Sequence, residues 1–99
     1  MSAVHAAIGD AVDIVTVAKA GTAMNLTTSA SNWSITATKS GYKPIGYSLY
    51  SGYSTQLYWG VEYITPSIGS LTVNGFAMTT GGTFTWTPNM WVTWMKINS

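Results

Sequence analysis

Residues 33–39, WSITATK, alternate strictly, with Trp33, Ile35 and Ala37 on one side and Ser34, Thr36 and Thr38 on the other. A period of two marks a strand with one buried face. The same period recurs along most of the chain. Residues 12–19, VDIVTVAK, form a β-branched run closed by Gly21, and a weaker strand covers residues 23–28. Ile45, Tyr47 and Leu49 share a face opposite Gly46, Ser48 and Tyr50. Leu57, Trp59, Val61 and Tyr63 then alternate with Tyr58, Gly60, Glu62 and Ile64, which puts large groups on both faces. The last run, residues 90–98, sets Trp91, Thr93, Met95 and Ile97 against Val92, Trp94 and Lys96. These two final patterns predict strands covered on both sides.

Turn chemistry separates the runs. Gly41 and Pro44 in SGYKP (residues 40–44), the SGYS of residues 51–54, Pro66 to Gly69, Gly81-Gly82 and Pro88-Asn89 all interrupt alternation. Within LTVNGFAMT (residues 71–79) the pair Asn74-Gly75 predicts a two-residue type I′ hairpin, with positive φ at both positions and Val73 facing Phe76. Strands of this length and spacing predict an all-β fold, an antiparallel β-sandwich or jelly-roll-like barrel of about seven to eight short strands. Alanine-rich residues 1–11 read as an N-terminal lead-in segment, and residues 12–99 as a single β-domain.

Composition narrows the function classes. Four lysines and three carboxylates among 99 residues amount to 7% charge, against roughly 25% for soluble globular chains. A net charge of +1 leaves no footprint for nucleic acid. Without cysteine there is no disulfide scaffold and no thiolate chemistry. No apolar run reaches the length that spans a bilayer, so no membrane insertion is expected. Serine and threonine supply 26 residues, a composition shared by virion and extracellular β-proteins and by subunits of permanent oligomers.

Catalytic candidates are sparse. His5 is the sole histidine and lies in the lead-in; Asp10 and Asp13 lack the further oxygen ligands of a calcium site; Glu62 has no carboxylate partner for glycoside hydrolysis. Neither a phosphate-binding glycine loop nor zinc spacing occurs. The reading is a non-enzyme with no cofactor and no metal. Instead, the stretch from Tyr42 to Tyr63 holds all six tyrosines. Tyrosine with serine and glycine is paratope chemistry, a stiff amphipathic surface with adaptable hydrogen bonding. Tyr50, Tyr53, Gln56 and Tyr58 are the candidate ligand-binding residues, against the alternative that these rings fill the core as strand residues do.

The segment KSGYKPIG (residues 39–46), preceded by ITAT and followed at the C-terminus by WVTWMKIN, resembles the C-terminal tip or head domains of tail-fibre and minor tail proteins from phages and prophages of Gram-positive gut bacteria. The resemblance departs after PIG, where Tyr47, Ser48, Leu49 and Tyr50 replace an aliphatic run. It implies a β-sandwich-like tip on a virion, usually a homotrimer, attaching to a bacterial surface glycan or cell-wall polysaccharide. Two rival readings stand beside it: a carbohydrate-binding module of a secreted glycosidase, and a structural fibre tip without a ligand.

Overall fold

The computed structural model describes residues 13–52 and 54–97. The lead-in segment, and with it His5 and Asp10, lies outside the described residues, as does Tyr53. Eight strands follow one another with no helix between them: β1 (Ile14–Ala20), β2 (Met24–Leu26), β3 (Ser31–Thr38), β4 (Tyr42–Tyr50), β5 (Leu57–Ser67), β6 (Ser70–Thr79), β7 (Phe84–Trp86) and β8 (Asn89–Lys96). All pairing is antiparallel. Two three-stranded sheets, ordered β1-β8-β4 and β3-β6-β5, form a β-sandwich, and β2-β7 makes a short third sheet. The pairs β1–β8, β2–β7 and β3–β6 are nested like a long hairpin rolled on itself, the device of jelly rolls.

The alternation seen in the sequence explains which sides meet. Trp33, Ile35 and Ala37 of β3, Leu71, Val73 and Ala77 of β6, and Met90, Val92 and Trp94 of β8 are buried between the sheets, joined by Leu26 and Trp86 from the small sheet. Trp86 lies 6.0 Å from both Trp33 and Trp59, edge-to-face with the former. On the outer sides, threonine pairs bridge neighbouring strands: Thr16 to Thr93 at 3.0 Å and Thr36 to Thr72 at 2.9 Å.

The expected Asn74-Gly75 hairpin is absent. Residues 70–79 run straight as β6, the central strand of its sheet, and positive φ belongs to Gly41, Gly69 and Gly82. The β5–β6 hairpin turns instead at Ile68-Gly69, where Gly69 has φ 79°. Gly75 serves packing rather than turning. Trp33 lies directly across from it in register, and a Cβ there would strike the Gly60 carbonyl and sit 2.6 Å from Trp33 Cε2. With the glycine bare, the indole lies flat on β6 and its Nε1 donates to the Phe76 carbonyl at 2.8 Å.

Two strands differ from the simple alternation through bulges. In β5 the register to β6 shifts between Val61 and Tyr63, so Glu62 is an extra residue. Leu57, Trp59 and Val61 lie on the inner side with Thr79, Ala77 and Gly75, but after Glu62 the phase inverts: Ile64 and Pro66 lie on the inner side with Val73 and Leu71, while Tyr63 pairs with Asn74 on the outer side. In β4 the shift falls between Pro44 and Gly46 at Ile45. Strand β4 also begins earlier than its turn residues implied, at Tyr42. Both β4 and β5 are edge strands, where Pro44 and Pro66 can sit with no ladder hydrogen bond lost.

Candidate functional site

Three of the five tryptophans, Trp33, Trp86 and Trp94, are buried in the core, and none of the described tyrosines is. Tyr47, Tyr50, Tyr58 and Tyr63 are 37%, 42%, 60% and 59% exposed, and only Tyr42 is half-buried. A phenol at the surface keeps its hydroxyl in water and offers its ring to a partner, while buried indoles supply the larger apolar volume.

The candidate residues do not converge. Tyr50, at the end of β4, faces outward from the β1-β8-β4 sheet and packs on Trp91, ring centroids 5.8 Å apart and planes 31° from parallel. Trp91 stays 44% exposed because its cross-strand neighbours are Ala18 and Ser48, too short to cover an indole. Tyr58 lies on the outer side of the opposite sheet, paired with Met78. Gln56 is in the turn between β4 and β5, its backbone held by Ser54 Oγ at 3.2 Å and by Thr80 N at 2.9 Å. Tyr50 and Tyr58 therefore belong to two different faces.

The outer side of the β3-β6-β5 sheet is uncharged at every paired position. It presents Asn32, Ser34, Thr36 and Thr38 from β3, Ser70, Thr72, Asn74, Phe76 and Met78 from β6, and Tyr58, Gly60, Tyr63, Thr65 and Ser67 from β5. Phe76 reaches across Gly60, whose missing side chain makes room: a Cβ there would lie 2.9 Å from Phe76 Cε1. Tyr58, Phe76 over Gly60, and Tyr63 thus occupy successive positions along β5, with the Glu62 bulge supplying the phase that brings Tyr63 to this side. Asn74 donates through Nδ2 to Tyr63 Oη at 3.4 Å, and its Oδ1 is buried without a partner.

A third feature opens between the sheets. Where the edges β4 and β5 splay apart, Pro44, Ile45, Gly46 and Tyr47 face Ile64 and Pro66 across a slot of about 420 Å³ floored by Leu71. No charged residue lines it. Its two edge strands each carry a bulge and a proline, features that hinder addition of another strand. The slot therefore offers apolar side chains rather than backbone.

Sequence reasoning missed Trp91 and Phe76. The alternation already placed Trp91 opposite Trp94, so one of the two had to face outward; nothing local marks Phe76, whose exposure depends on Gly60 in another strand. Among the described residues no three His, Cys, Asp or Glu side chains assemble. Two residues before the slot, at the start of β4, Tyr42 Oη donates to Asp13 Oδ2 at 2.7 Å, and Lys39 Nζ lies 4.5 Å from the Tyr42 ring centroid. The hydrogen bond to Asp13, then burial, then the carboxylate's charge raise the Tyr42 hydroxyl above its ordinary pKa. No family model matches the chain, and no curated protein or solved structure matches it either.

Proposed function

We propose that this chain is a non-enzymatic receptor-binding domain at the tip of a phage tail or prophage structural protein, acting on the virion or outside the cell, where it attaches to a bacterial surface glycan. The observation that carries the reading is the outward placement of Tyr50, Tyr58 and Tyr63. Rings kept out of a core that already has tryptophan for volume are available for contact, and the hydroxyl and amide groups around them suit a neutral, polyhydroxylated partner. The tail-tip setting rests on the resemblance of KSGYKPIG and WVTWMKIN. Attachment is assigned to the whole domain as a homotrimer, because single ring-on-sugar contacts are weak and several copies on one assembly raise the effective concentration.

The uncharged slot between β4 and β5 supports assembly. Its apolar walls, together with half-exposed Trp59 and Val61 beyond them, match the charge-poor surface of a second copy of the same chain. A carbohydrate-binding module from a glycosidase would present similar aromatics as a monomer, so native mass separates the two readings. The test of attachment is pull-down of the intact protein on purified Gram-positive cell walls, with walls stripped of polysaccharide as control. Retention on intact walls and release by stripping are expected; equal retention on both overturns glycan attachment.

A further inference from the structure

We infer that the outer side of the β3-β6-β5 sheet is the glycan-binding face, a strip that takes a neutral linear oligosaccharide along the row Tyr58–Phe76–Tyr63. This inference rests on the attachment reading and says where on the domain, and for which chemistry, attachment occurs. Two features of the chain build the strip: the Glu62 bulge turns Tyr63 outward, and glycine at position 60 lets Phe76 lie across β5. Alternate strand positions repeat at roughly 7 Å, so the three rings mark a path on the order of 14 Å, enough for about three sugar rings.

The polar groups along the path select the ligand. No paired outer position carries a lysine, so an anionic polymer meets no cation there, and the one charge beside the row, the exposed carboxylate of the bulge residue Glu62, would repel it. Hydroxyls from Ser34, Thr65 and Thr72 and the amides of Asn32 and Asn74 remain. Asn74 Oδ1 is buried and unpaired in the middle of this row, between Tyr63 and Ser34 in register. A buried acceptor without a donor is unfavourable, and a sugar hydroxyl that displaces the groups covering it supplies that donor. The Tyr50–Trp91 pair on the other sheet lacks such an unpaired acceptor among its neighbours.

The experiment uses two fractions of a Gram-positive wall as probes, the neutral polysaccharide and the anionic teichoic acid, with immobilised polymer and the intact assembly. Tyr58→Ala and Tyr63→Ala are each expected to weaken binding to the neutral fraction about tenfold per site, with melting temperature unchanged, and Trp91→Ala to leave it unaltered. Asn74→Ser, which removes the amide, should weaken binding without abolishing it. Amide chemical-shift mapping of the unmutated protein, with the neutral fraction cut to oligosaccharides, should move resonances of Asn74, Tyr58 and Tyr63; this arm does not depend on any variant folding. Loss of binding in Trp91→Ala with Tyr58→Ala unaffected overturns the strip but leaves attachment standing. Preference for teichoic acid overturns the neutral ligand. If the unmutated protein binds neither fraction, the attachment reading falls and the strip with it.

Discussion

Replacing Gly75 with alanine adds a single methyl group at the point where three elements meet. The new Cβ meets the Gly60 carbonyl of β5 and the Trp33 indole of β3, a ring only 5% exposed and tied by its Nε1 to the Phe76 carbonyl. Neither obstacle can swing away: one is strand backbone and the other is walled in by the core. Overpacking of this kind costs about 1–3 kcal/mol, and a weakened indole hydrogen bond about 1 kcal/mol more. Against these stands the usual gain of roughly 0.5–1 kcal/mol on replacing glycine within a strand. The net expectation is a loss of about 2 kcal/mol, or about 10 °C in Tm for a domain of this size. Urea denaturation and calorimetry at one fixed protein concentration measure it. Gly46→Ala is the control, since a Cβ there meets nothing within 4 Å, and its stability should match or slightly exceed the parent. Combining Gly75→Ala with Trp33→Leu should cost less than the sum, because the ring's part of the clash disappears while the Gly60 carbonyl's part stays. A Gly75→Ala protein that melts at or above the parent would refute the packing role of this glycine.

Light scattering should give about three times the 10.6 kDa chain mass, and Ile64→Asp, which places a charge in the slot wall, should lower it to the monomer; a parent protein that is monomeric at micromolar concentration removes the slot as an interface. Trp94→Ala, from a ring 2% exposed, should destabilise by about 3–5 kcal/mol, whereas Trp59→Ala, from a ring 37% exposed, should cost clearly less in denaturant titrations of dissociated protein. Because the Tyr42 pKa is raised in the fold, its contribution is complete below the ordinary tyrosine pKa and disappears as pH rises through the folded value. The difference in urea midpoint between the parent and Tyr42→Phe should therefore shrink on going from pH 8 to pH 11, and a constant difference would show that the Asp13 hydrogen bond is not linked to stability.

Alternation was a sound guide wherever one strand face is buried and no residue is inserted. Trp33, Ile35 and Ala37 are core residues as their spacing implied, and the all-β sandwich follows from the same period. The errors came from residues whose meaning lies in another strand. Asn74-Gly75 looks like a turn locally, but Trp33 needs the bare backbone of Gly75, and the strand continues through it. Pro66 looked like a stop, yet on an edge its missing N–H breaks no ladder. The tyrosine-rich stretch left surface and core open as alternatives, and its division between two faces was not legible, because Tyr50 and Tyr58 sit in strands that go to different sheets.

The extra residue at Glu62 makes β5 behave like a reading frame. Each position downstream owes its inward or outward assignment to the number of residues before it, so Ile64 and Pro66 line the slot, and Tyr63 faces the other way, only while Glu62 is counted. Deleting that one residue would exchange the two sets at once, turning a phenol toward the interior and an isoleucine toward water. Substitution at Glu62 leaves the count intact. Within this strand, length is thus more tightly specified than side-chain identity, and homologous chains of the same design would be expected to vary at position 62 in residue type before they vary in number.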